Sequence, residues 1–156
     1  MLFRDKLIHS ILVKKIFLII PIIFFIIDRL IKYFAPSINL EGGFVNIALY
    51  KNFAGAFSLP ITGLVYNILG IVLIFIFIYL YILSFSKNKN IQLVAYLFII
   101  MGGASNVFDR ISFGYVIDYV QVLGRSFFNI ADVMLIVGVG ILIIKQFNFK
   151  RNKIEI

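Results

Sequence analysis

An α-helical integral membrane fold, with four transmembrane helices and a small extracytoplasmic sheet, is predicted by three features. Hydrophobic residues make up 62% of the chain and charged residues 14%, where soluble domains run near half and a quarter. Four apolar runs, approximately 16–35, 61–86, 91–108 and 130–147, approach or exceed the ~20 residues that span a hydrocarbon core. Basic residues fall almost wholly on one side of the resulting path. Nothing resembles a linker, so residues 1–156 read as a single membrane-embedded domain. The net charge of +8 fits the positive-inside bias better than a nucleic-acid surface, so nucleic acid is not expected as a partner. With no Cys and a lone His9 in the polar N-terminal segment, neither a metal site nor a cofactor is expected.

The first run, 16–35, follows a short basic segment. It is too long for a cleaved leader, lacks an A-x-A site and is interrupted by Asp28-Arg29, so it reads as a retained helix. Pro21 falls near its expected start, where a missing N–H costs least. Asp28 and Lys32 are four apart and share a helix face. They read either as an ion pair easing a polar helix end into the interface or as a brace for a polar site.

Residues 37–60 differ in kind. Gly42-Gly43 signals a turn and FVNIALY has β-type residues in partial alternation, so short strands are predicted. Asn52 follows, then small residues including Gly55, which permits close backbone approach. Asn52 alone is most simply a turn residue. The second run, 61–86, ends at the polar hairpin Lys87-Asn88-Lys89-Asn90. The third ends in Gly102-Gly103-Ala104-Ser105, small residues that let helices approach. The fourth precedes the basic tail at Lys150, Arg151 and Lys153. Arg4, Lys6, Lys14, Lys15, Lys87, Lys89 and the tail share one side, against Lys51, Arg110 and Arg125 on the other. Both termini are therefore expected in the cytoplasm, with 37–60 and 106–129 facing outward together.

Between the last two runs, NVFDRISFGYVIDYVQVLGRSFFNIAD holds Asp109, Asp118 and Asp132. Asp109-Arg110 can be a surface ion pair. Asn129-Ile-Ala-Asp132 resembles a capping box, which by itself accounts for Asp132. Asp118 has no comparable explanation, because apolar neighbours make its charge costly. If it faces Asp132, the two can share a proton and supply a base and an acid together. One takes a proton from an attacking water and the other serves the departing amine, without metal or covalent intermediate. Asn52, Asn106, Asn129 and Arg110 would be the neutral and cationic supports. A transporter using these acids as a proton relay is the rival reading, but the polar groups stop at one membrane face.

The same residues resemble the lipoprotein signal peptidases, the type II signal peptidases, which are four-span membrane aspartyl peptidases of bacteria. The resemblance is carried by Asp28 and Lys32, N-F-A-G-A-F-S from Asn52, G-G-A-S-N-x-x-D-R from Gly102, V-I-D-Y around Asp118 and F-N-I-A-D ending at Asp132. It implies that Asp118 and Asp132 are catalytic. Asn52, Gly55, Asn106, Arg110 and Asn129 would bind or position the substrate, with Asp28, Lys32 and Asp109 as structural support. It also implies an extracytoplasmic β-cradle over 38–60 and a flexible loop or short helix near 111–128. The implied substrate is a prolipoprotein whose lipobox cysteine carries diacylglycerol, cut on the amino side of that cysteine. The implied setting is the bacterial inner membrane, with membrane lipids as partners and the chain acting as a monomer.

Overall fold

The computed structural model describes the backbone of residues 2–53, 64–86 and 90–154. Gly55, with most of the small-residue segment after Asn52, lies outside the described residues, as do residues 87–89 of the expected hairpin. Helix α1 spans Leu2–Phe34 and leads through a 3-10 turn, Ala35–Ser37, into β1, Asn39–Leu40, and β2, Val45–Asn52. Then come α2, Leu64–Ser86; α3, Asn90–Phe113; β3, Val116–Val122; β4, Ser126–Phe128; and α4, Ile130–Ile154.

Among the described residues, three helices are long and apolar enough to cross a membrane, in α2, α3 and α4. The apolar part of α1 holds Asp28, Arg29 and Lys32, which lower its apolar character. Lipid-type exposure is plain on α2, where Leu73, Phe75, Tyr79 and Ile82 are all open. Helix α3 is far more buried than α2, and it is the hub against which the other helices pack. Small residues make its contact with α4 possible. A methyl group at Gly102 would stand 2.6 Å from the Ala131 carbonyl oxygen, and one at Gly138 would stand 2.7 Å from that of Ala95.

Three boundaries differ from the sequence expectation. Helix α1 runs back to Leu2, because residues 2–15 continue its helical course despite their charge; Pro21 is therefore inside the helix rather than at its start. A proline there is tolerable where neighbouring groups compensate the lost hydrogen bond. Helix α3 continues to Phe113. Beyond it, the loop or short helix expected near 111–128 is instead a β-hairpin, β3–β4. The run VIDYVQV is rich in β-branched residues, and Gly124 takes the positive φ of its turn.

The four strands form one antiparallel sheet in the order β1-β2-β3-β4. Its register contains one irregularity. Ile47 faces Val120 but Tyr50 faces Asp118, so Ala48 and Leu49 together oppose Tyr119. That bulge resets the alternation and puts Asn52, two residues past Tyr50, on the Asp118 side. Ala35, Ile117 and Tyr119 form a buried cluster with Ile31, Leu49 and Ile130 packed against it. The cluster locks the end of α1, the sheet and the start of α4 together.

Candidate active site

The sequence-nominated acids converge where β3 meets the first turn of α4. Asp118 is 1% exposed despite its charge. Its Oδ2 accepts from Asn52 Nδ2 at 2.9 Å and its Oδ1 from Asn129 Nδ2 at 2.7 Å. Burial pushes its carboxyl up to about 6. The Asn52 bond opposes that rise, the neighbouring Asp132 charge adds to it, and the Asn129 bond opposes it again.

Asp132 sits in a true capping box. Asp132 N–H donates to Asn129 Oδ1 at 2.9 Å, and Asn129 N–H donates to Asp132 Oδ2 at 3.3 Å. The cap leaves Oδ1 of Asp132 for Asn106, whose Nδ2 donates at 2.8 Å. Asn106 Oδ1 in turn accepts from Asn129 Nδ2 at 3.2 Å. The Asn129 amide thus touches Asp118 and Asn106, and Asn106 touches Asp132. Two amides bridge the two acids without adding charge.

Behind this pair lies a buried ionic cluster. Lys32 Nζ meets Asp28 Oδ2 at 3.1 Å and Asp109 Oδ2 at 2.8 Å, and donates to Asn106 Oδ1 at 2.9 Å. The last bond fixes which end of the Asn106 amide points at Asp132. Arg29 pairs with the other oxygen of Asp109. Ser105 Oγ donates to Asp28 Oδ2 at 2.6 Å. Tyr119 OH donates to Asp28 Oδ1 at 2.9 Å and accepts from Ile130 N–H at 2.9 Å, so one phenol ties β3 to α1 and α4.

Asp109 is not the surface partner of Arg110. It is fully buried and pairs with α1, because a helix turns adjacent side chains about 100° apart. Arg110 instead lies over the Tyr66 ring, 4.9 Å from its centroid, near enough to Asp132 and Asp118 to feel both charges. Sequence reasoning passed over Arg29, Ser105, Tyr119 and Tyr66. Arg29 had a signal, since a second cation beside Asp28 in an apolar run demands a second acid. The others had none. Among the described residues no group of His, Cys, Asp and Glu is arranged to hold a metal ion.

Residues 20–148 match the profile of the Signal peptidase (SPase) II family. The chain is 40% identical over 154 residues to the lipoprotein signal peptidase of Helicobacter pylori strain ATCC 700392 / 26695, covering 91% of this chain and 96% of that protein. It is 29% identical to the lipoprotein signal peptidase of Haemophilus influenzae, covering 89% of this chain and 90% of that protein. The fold resembles a bacterial membrane enzyme solved by the in meso method at 2.3 Å resolution. That likeness has TM-score 0.73 and 25% identity, over 89% of this chain and 92% of the other.

Proposed function

Because the chain belongs to the signal peptidase II family, we propose that it is an aspartic endopeptidase acting on diacylglyceryl-modified prolipoproteins. It removes the signal peptide on the amino side of the lipobox cysteine. The observation that carries this reading is the amide bridge through Asn129 and Asn106 between Asp118 and Asp132.

The dyad shares one proton in the resting site. Asp28, Asp109, Asp118 and Asp132 supply four carboxylates, against three cations, Arg29, Lys32 and Arg110; one proton on the dyad brings the group to neutrality. Two ionised carboxylates in one buried site are unfavourable, which favours that proton. Burial raises the Asp118 carboxyl to about 6, so the pair can hold that proton near neutral pH. One carboxylate takes a proton from water, and the water oxygen attacks the peptide carbonyl. The other carboxyl protonates the nitrogen of the cysteine as the C–N bond breaks. Asn52, Arg110 and the segment at Gly55 orient the substrate backbone and meet the developing oxyanion.

The chain works as a single peptidase domain, residues 1–156, with α1 as a fourth crossing and both termini in the cytoplasm. The excess of basic residues on one side supports that orientation. The site then stands at the extracytoplasmic boundary of the inner membrane, where a lipidated cysteine can reach it from the bilayer. A monomer suffices, since α1, α3, α4 and the sheet of one chain supply the dyad and its described polar supports. The test uses paired precursor peptides, one with diacylglyceryl on the cysteine and one without, read by mass. Cleavage before the lipidated cysteine alone is expected. Equal cleavage of both, or cleavage elsewhere, would refute the substrate assignment.

A further inference from the structure

The sheet has a second end, away from Asn52 and Asp118, and it is unexpectedly apolar. Leu40, Phe44, Val45 and Leu123 are 61%, 64%, 43% and 62% exposed. The backbone gathers three of them: Val45 pairs with Val122, and Leu123 N–H donates to the Phe44 carbonyl at 3.0 Å. The turn is also strained. Leu123 has φ +53° and Gly124 φ +66°, left-handed values at consecutive positions. Gly or Asn enters that region readily, whereas leucine does so at a penalty. With most of its surface open, the Leu123 side chain gains little packing within the chain to offset the strain. Strain held at an exposed site asks for an external partner.

We propose that this tip is a lipid-contact surface, with Leu123 and Phe44 seated among the headgroups and upper acyl chains of the bilayer that holds α2, α3 and α4. Continuity with the apolar surface of the helices argues for lipid. Exposed Leu30, Tyr33 and Phe34 end α1, and Leu40 follows after a short 3-10 turn. On the other flank, α4 begins at Ile130, only seven residues past Leu123. Exposed Arg125, beside the turn, supplies a cation for lipid phosphate, the pairing of apolar and basic groups seen in interfacial segments. Seating the tip would hold β3, and with it Asp118, level with the membrane boundary where α4 starts. The inference rests on membrane embedding and not on the peptidase reading.

The chain contains no tryptophan, so a single substitution gives an uncontaminated reporter. Full-length Phe44→Trp and Leu123→Trp proteins would be placed in phosphatidylethanolamine–phosphatidylglycerol vesicles, plain or brominated on the upper acyl chain. Glu41→Trp, on the polar groove lined by Asn39, Asn46 and Gln121, serves as the control. Both tip reporters should emit at shorter wavelength than the control, lose most of their emission to bromine and resist aqueous iodide. Iodide quenching with no bromine effect at both positions would overturn the proposal. So would shielding that arises only on adding a precursor peptide, which would make the tip a polypeptide dock. Phe44→Trp exchanges one aromatic for another at an exposed site, so it carries the test if Leu123→Trp fails to fold. Quenching without precursor cleavage would leave the tip standing and the peptidase reading in doubt.

Discussion

At the scale of single residues, Asn129 joins folding to chemistry. Its Oδ1 caps α4 while its Nδ2 holds Asp118 and Asn106. The two functions separate by mutation. Asn129→Ser keeps a capping oxygen but loses the donor to buried Asp118, so cleavage should fall by about 100-fold with a loss of about 1–3 kcal/mol in stability. Asn129→Ala should lose the same activity and be about 1 kcal/mol less stable than Asn129→Ser; equal stability of the two variants would contradict the capping role. Asp118 carries a stability prediction of definite sign. Its folded pKa, about 6, lies above the ordinary aspartate value of 3.8, so the folded state holds the extra proton. Its contribution to stability is therefore greatest below the lower value and fades as pH rises through about 6. Asp118→Asn should be inactive, and its melting temperature should change less than wild type's between weakly acidic and neutral pH. A parallel pH dependence in both proteins would count against a raised pKa.

At the scale of elements, the site depends on α3 and α4 being close enough for Asn106 to reach Asp132. Gly102→Ala puts a methyl against the Ala131 backbone, with Met134 Cβ at 3.1 Å, so the helices must part. Activity should drop by at least about tenfold with a loss of about 1–3 kcal/mol, measured by cleavage rate and thermal melting. Unchanged values would show that the helices are not tightly docked there. The interface with α1 is ionic. Lys32→Met leaves Asp28 and Asp109 without their shared cation, and removing one partner of a buried pair costs about 3–5 kcal/mol. Low yield or loss of cooperative melting is expected, with partial recovery in Asp28→Asn/Lys32→Met. If Lys32 acts chiefly through Asn106, the double variant regains cooperative melting but not activity.

At the scale of the molecule, the apolar runs, the early strands and the capping box at Asn129 were legible because each is local. Asp118 was legible because a carboxylate between Ile117 and Tyr119 contradicts its surroundings. The hairpin β3–β4 was missed, since its turn is Leu-Gly rather than a strong turn pair. The partners of Asp109 were missed because Arg29 is 80 positions away and only the packing of α1 on α3 brings them together. Membrane topology can be read directly, since the chain has no native cysteine. Single cysteines replacing Lys51 and Arg125 should label with an impermeant reagent from outside intact cells, and one replacing Lys153 only after lysis. The reverse pattern would invert the orientation.

The dyad is tested most directly by single-turnover cleavage of a diacylglyceryl precursor peptide, followed from acid to mildly alkaline pH with wild type, Asp118→Asn and Asp132→Asn. Shared-proton chemistry predicts two pH limbs for wild type, with apparent pKa values belonging to the pair, and a loss of at least about 100-fold in each variant. Near-wild-type turnover by either variant, or a wild-type rate independent of pH, would contradict it.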